Sequence, residues 1–136
     1  MSEQNKAIVQ QAYNSFKTGD IEGLLNLMSD DISWTLPSME GVPFGGKRTG
    51  RASVAEFFAS VGASQEVVSF EPRELIAEGD KVIALGSYKW RVIANNREFG
   101  GDFAHAWTIS DAKAVEFQEY MDTAVGVNAH RKAMSA

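Results

Sequence analysis

Apolar and polar positions change their spacing partway along this chain. From about Glu3 to Thr18, Ile8, Ala12, Tyr13 and Phe16 recur at helical spacing, with Gln10, Gln11 and Lys17 on the opposite side. A stripe of that period predicts a helix buried along one face. Gly19 is placed to stop it, and Asp20 to cap a second, short helix carrying Leu24, Leu25, Leu27 and Met28. Asp30-Asp31 then turns the chain into a strand, Ile32–Leu36, which Pro37 ends. A third helix is expected over about Ala52–Val61, with Val54, Phe57, Phe58 and Val61 facing inward. From Glu66 onward the period falls to two. Turn signals at Glu78-Gly79-Asp80, Asn95-Asn96 and Ser110–Lys113 divide that stretch into an antiparallel meander, and the tail from Ala124 adds a partial helix.

Helices followed by a meander form an α+β pattern. We expect a curved antiparallel β-sheet shaped as a cone, covered by the N-terminal helices, in a single domain over residues 1–136. A cone too wide for its own side chains to fill leaves a pocket. Residues 37–50, PSMEGVPFGGKRTG, form the one long irregular loop, either a gate over that pocket or a plain surface connection.

Alternation assigns the faces of the meander. Side chains directly opposite one another in an antiparallel pair share a face. A two-residue turn at Asn95-Asn96 sets Tyr88 opposite Phe103 and Gly86 opposite His105. An even-length turn at Ser110–Lys113 sets His105 opposite Gln118 and Phe103 opposite Tyr120. One face then carries Tyr88, Trp90, Phe103, His105, Trp107, Gln118, Tyr120 and Asp122, an aromatic wall holding one imidazole and one carboxylate.

Such a wall fits an apolar molecule with acid–base groups beside it. Asp122 is the candidate base, for a proton next to a carbonyl. The competing reading has Asp122-Thr123 capping the strand end through backbone amides. His105 is its candidate partner, with Gly86 leaving room for a ligand; alternatively it is a core histidine bonded to a tyrosine or glutamine. Trp34 and the other large aromatics line the pocket, fill the core or form a dimer face. Tyr13 is either an oxyanion donor or a packing residue with its hydroxyl at the rim. His130 reads as a surface residue.

Charge and composition narrow the partners. A net charge of −5 with no Lys/Arg cluster leaves nothing to displace counterions from a polyanion, which excludes nucleic acid. Without cysteine there is no disulfide, thiol nucleophile or zinc–thiolate site, and two distant histidines have no metal-ligand spacing. No metal and no cofactor are expected. The absence of a run of about eighteen apolar residues argues against a membrane span, and the first residues lack signal-peptide character, so the expectation is cytoplasmic. Gly45-Gly46-Lys47-Arg48 lacks the spacing of a phosphate loop. Glu71, Arg73, Glu74, Lys89, Arg91, Arg97 and Glu98 mark the convex side of the sheet, through which a homodimer is expected.

Four strings, FKTGDIEGLLNLMSDDISWTLP (16–37), GRASVAEFF (50–58), ELIAEGDKVIALG (74–86) and FAHAWTISDAKAVEFQEYMDT (103–123), resemble the SnoaL-like, ketosteroid-isomerase-related branch of the nuclear-transport-factor-2-like superfamily. The resemblance covers nearly the whole chain and implies the fold more than the activity. The steroid isomerases' aspartate base, tyrosine donor and protonated aspartate fall on Leu36, Ala12 and Ala104, which disfavours steroid isomerisation in its known form. The polyketide cyclases of this branch place an aspartate and a histidine on late strands, a pair that His105 and Asp122 resemble. The resemblance thus implies a cofactor-independent isomerase, cyclase or dehydratase acting on an apolar carbonyl compound. The alternatives are a non-catalytic hydrophobic-ligand-binding or stress-related homodimer, an accessory association module, and an epoxide hydrolase using Asp102, Asp122 and an inward Arg73 or Arg91.

Overall fold

The computed structural model describes residues 2–135, with side chains through Arg131. Its elements run α1 (Ser2–Lys17), α2 (Ile21–Asn26), β1 (Met28–Leu36), β2 (Gly46–Thr49), α3 (Arg51–Ser64), β3 (Gln65–Glu78), β4 (Lys81–Val92), β5 (Glu98–Ser110), β6 (Lys113–Met121) and α4 (Thr123–Ser135). The expected α+β class is what forms: one six-stranded sheet, curled but unclosed, ordered β2-β1-β6-β5-β4-β3, with helices on its concave side.

The helices follow local signals. α1 buries Val9, Ala12 and Tyr13. Gly19 leaves α1 at φ 77°, and the Asp20 carboxylate accepts the Gly23 N–H at 2.9 Å, capping α2 as its position predicts. Two strand features were not foreseen. β1 starts at Met28 rather than Ile32 and runs parallel beside β6, so the first strand joins the meander as a neighbour of its last. Part of the long loop is itself a strand, with β2 hairpinned onto β1 through Leu36↔Gly46 and Ser33↔Thr49.

The core lies inside the curl. Val9, Ile32, Val54 and Val82 are fully buried, and burying each such side chain stabilises the fold by roughly 1.5–3 kcal/mol. The convex side carries the expected charges in pairs: Arg73 with Asp102 at 3.6 Å, Lys89 with Glu98 at 3.3 Å, Arg91 with Glu66 at 2.6 Å.

Register decides which side chains enter the curl, and here two expectations are corrected. The β4–β5 connection is a four-residue loop, 93–96, closed by the Val92 N–H on Arg97 O at 2.8 Å, not a two-residue turn. Gly86 therefore lies opposite Phe103, and Ala84 opposite His105. A shift of two leaves every side chain on its expected face. A Cβ on Gly86 would sit 2.2 Å from Glu71 O and 2.7 Å from Phe103 Cζ, so the missing side chain accommodates β3 and the Phe103 ring, not a ligand.

The β5–β6 hairpin begins in the expected register. Asp111 and Ala112, at φ 50° and 63°, make a two-residue turn, and Ser110↔Lys113 and Ile109↔Ala114 pair across it. Thr108 then pairs with Glu116, leaving Val115 as an extra residue. That bulge displaces the remaining ladder by one, which turns over every side chain beyond it. His105 faces Glu119 instead of Gln118, and Phe103 faces Met121 instead of Tyr120.

Candidate active site

The inner face of β6 thus carries Phe117, Glu119 and Met121, while Gln118 and Tyr120 point out of the curl, Tyr120 with 53% of its surface exposed. Both expected lining residues are corrected by that single bulge. Asp122 follows the strand at the cavity rim. It is exposed, and its Oδ1 accepts the Ala124 N–H at 2.9 Å, so it caps α4. The carboxylate sharing the face of His105 is Glu119, a residue that alternation without the bulge assigns to the outside.

Around His105 a buried chain of hydrogen bonds forms. Its Nε2 lies 2.9 Å from Glu119 Oε2, and its Nδ1 lies 2.6 Å from the Tyr13 hydroxyl, which also receives the Trp107 indole N–H at 3.0 Å. The donors fix the directions. An indole nitrogen only donates, so Tyr13 Oη accepts from Trp107 and its own hydrogen goes to His105 Nδ1. The neutral imidazole then carries its hydrogen on Nε2 and gives it to Glu119. Every polar atom of His105 and Tyr13 is used. Glu119 Oε1 has no hydrogen-bond partner among the described residues, and Glu119 lines the cavity.

Stacking holds this chain in place. Phe103 does not line the cavity as expected; it packs on the His105 ring at 4.1 Å and on Phe70 at 5.1 Å. Burial pushes the Tyr13 phenol far above its ordinary value; the Trp107 N–H counters this and the Glu119 charge adds to it, so the hydroxyl stays protonated as a donor. Tyr88, half-buried, is pushed up to about 12 by burial and then by the charges of Glu119 and Asp122.

The cavity encloses about 930 Å³ of space that no atom fills, part of it open to solvent. The expected aromatics Tyr13, Trp34, Tyr88, Trp90 and Trp107 all line it. Trp34 stacks on Phe117 at 3.9 Å, and its buried indole N–H meets no acceptor among the described residues. The long loop supplies Met39, Val42 and Phe44 to the wall, so it covers the cavity. α4 closes the outer end. His130, read from the sequence as a surface residue, is buried between Phe44 and Phe99. Arg73 and Arg91 point away from the cavity, and among the described residues no arginine lines it, which removes the inward arginine that the epoxide-hydrolase alternative needs.

Sequence reasoning missed Glu119, His130 and Gln65 as cavity residues. A period-two reading had no signal for the bulge that turns Glu119 inward. His130 had a faint one, since Val127 lies one turn before it and Ala129 beside it in the tail. Among the described residues no group of acidic or histidine side chains is arranged to hold a metal, and no helix is long and apolar enough to cross a membrane.

Comparison with known proteins agrees with this architecture. An NTF2-like protein of Burkholderia xenovorans LB400 superposes with a TM-score of 0.86 at 30% identity, covering 96% of this chain and 98% of that one. TerC, in a crystal structure with polyporic acid, superposes with a TM-score of 0.83 at 30% identity over 94% and 98% of the two chains. An NTF2-like protein of unknown function from Burkholderia pseudomallei K96243 reaches 0.81 at 27% identity over 93% and 96%. No curated protein matches the sequence. Residues 9–117 match the SnoaL-like domain, and with the NTF2-like fold around them the chain belongs to the SnoaL-like family.

Proposed function

We propose that this protein is a cofactor-independent enzyme that uses Glu119 as a general base on an apolar, carbonyl-bearing molecule held in the aromatic cavity. One observation carries the reading: a carboxylate in an apolar cavity has one oxygen fixed by a buried histidine and the other free. Oε1 removes a proton from carbon next to the substrate carbonyl, and the electron pair moves onto the carbonyl oxygen as an enolate. The unpaired Trp34 N–H is a donor for that oxygen. Where a carbon–carbon double bond extends the enolate to the γ carbon, return of the proton from Glu119 to that carbon isomerises the substrate. Attack of the enolate carbon on a second carbonyl cyclises it, and the alkoxide so formed takes the proton back from Glu119.

His105 has neither nitrogen free for substrate. It acts through Glu119 as a positioning residue, and Tyr13 and Trp107 hold it in turn. Asp122, the base that sequence alone favoured, instead caps α4, so the base is assigned to Glu119. The small organic ligand of TerC supports a cavity of this type that accepts an organic molecule.

The test reads deprotonation directly. Carbonyl compounds that quench the fluorescence of the cavity tryptophans are incubated with protein in D2O, and α-proton exchange is followed by NMR. Exchange with wild type and its loss in Glu119→Gln is the expected result. Tight binding with no exchange above buffer makes the protein a ligand carrier and ends the enzyme reading.

The convex face supports assembly. Leu85, Ala104 and Tyr120 form one outward row across β4, β5 and β6, beside a second row of Ile76, Ile83, Ala106 and Gln118. Ile76, Leu85 and Tyr120 are 49%, 36% and 53% exposed, an apolar patch suited to a second copy of the chain. Light scattering should give twice the monomer mass, and Leu85→Glu should halve it. A wild-type monomer at high concentration would remove the homodimer.

A further inference from the structure

At the outer end of the cavity two buried side chains have polar atoms that no group among the described residues meets. Gln65 is 5% exposed with Oε1 unpaired, and His130 is 6% exposed with Nε2 unpaired. Both line the cavity. They come from adjoining parts of the fold: His130 shares a depression with Ser64 and Val92, and Gln65 follows Ser64 and pairs with Val92. His130 Nδ1 lies 2.9 Å from Gly126 O, which can only accept, so Nδ1 carries the hydrogen and the neutral ring presents a lone pair at Nε2. Gln65 Oε1 is likewise an acceptor. Buried acceptors left unpaired are uncommon in native proteins and call for an explanation.

We infer that Gln65 and His130 form a second polar subsite that takes a hydrogen-bond donor on the substrate, a hydroxyl or an N–H, at the end away from the reacting carbonyl. This rests on the reading of the cavity given above and specifies its substrate. His105 pairs with Ala84, while Gln65 pairs with Val92, eight residues further along β4 (92 − 84 = 8). The two polar ends are therefore separated along the cavity, with aromatic walls between them. The matching ligand is an elongated aromatic ketone with a carbonyl at one end and a hydroxyl at the other.

Packing supports the placement. His130 is fixed by Phe44 and Phe99 at 6.0 and 5.8 Å between ring centres, and α4 is anchored by the Asn95 amide donating to Ala129 O at 3.0 Å. A rigidly held unpaired acceptor binds a ligand donor without first having to be ordered.

The test uses two probes, 4-acetylbiphenyl and 4-acetyl-4′-hydroxybiphenyl, with binding read by quenching of the cavity tryptophans. Wild type should hold the hydroxylated probe about tenfold more tightly, the gain from one neutral hydrogen bond shared between two buried acceptors. Gln65→Met and, separately, His130→Phe remove one acceptor each while keeping chain length or ring shape, and should each cut that preference to about threefold. Because the readout is a ratio of two probes on one protein, partial loss of folding cancels. Equal affinities in wild type overturn the subsite while leaving the base assignment intact, and failure of both probes to bind overturns the ligand class. α-Exchange of the acetyl protons in the same samples reads Glu119 independently. A hydroxyl preference without exchange keeps the subsite and removes the enzyme reading.

Discussion

Tyr13→Phe removes one oxygen and almost no volume, so its consequence follows from hydrogen bonding alone. In the wild type that oxygen receives the Trp107 N–H at 3.0 Å and donates to His105 Nδ1 at 2.6 Å, with all three residues buried. The variant loses two hydrogen bonds and leaves two partners, an indole N–H and an imidazole nitrogen, in a site where water does not replace the hydroxyl. A net neutral hydrogen bond contributes about 1 kcal/mol, and an orphaned buried partner adds a desolvation cost of similar size, so the expected loss is about 2–4 kcal/mol. For a chain of 136 residues the unfolding entropy is roughly 0.29 kcal/mol/K, which converts that loss into a fall in Tm of roughly 7–14 °C. Urea unfolding followed by tryptophan fluorescence supplies the free energy, with an unchanged m value showing that the folded state is intact. A loss below about 0.5 kcal/mol would refute the proton directions assigned to the Tyr13–His105–Glu119 chain. His105 would then have to find another partner.

Three further outcomes follow from the same geometry. Asp122→Asn should retain α-proton exchange, because its carboxylate caps α4, with a loss of about 1 kcal/mol or less in urea unfolding; abolished exchange would return the base to Asp122. In the alkaline range, burial holds the Tyr88 phenol up to about 12 and Tyr13 higher still. The unfolded chain releases those protons near pH 10, so stability is fully present below that pH and declines as pH rises toward 12; unfolding midpoints that do not fall between pH 10 and 12 contradict this. Gly86→Ala should lower stability by about 3 kcal/mol, since the new methyl meets the Glu71 backbone oxygen, which cannot swing aside, and a thermal melt within 2 °C of wild type would show that β3 is able to move.

Local chemistry, legible in the sequence, fixed which segments became helices and strands. The helical spacing of Ala12, Tyr13 and Phe16, the glycine at position 19, the cap at Asp20 and the two-residue turn after Ser110 each act within a few residues, and each produced the element it implies. Parity along β4 and β5 was equally readable. A four-residue loop in place of a two-residue turn moved Gly86 from His105 to Phe103, yet it left Tyr88, Trp90, His105 and Trp107 facing inward. The candidate base was not readable in this way. Whether Glu119 or Gln118 meets His105 depends on one extra residue, Val115, whose place in the sheet also answers to β1 pairing in parallel on the far side of β6. The ladder on that side shifts over the same stretch, between Met28↔Ala114 and Ser33↔Glu116. A bulge that serves two neighbouring strands is a property of their packing, so only the assembled sheet decided which carboxylate faces the cavity. The burial of His130 was settled the same way, because α4 gains its apolar surroundings only where Phe44 and Phe99, distant in the chain, close around it.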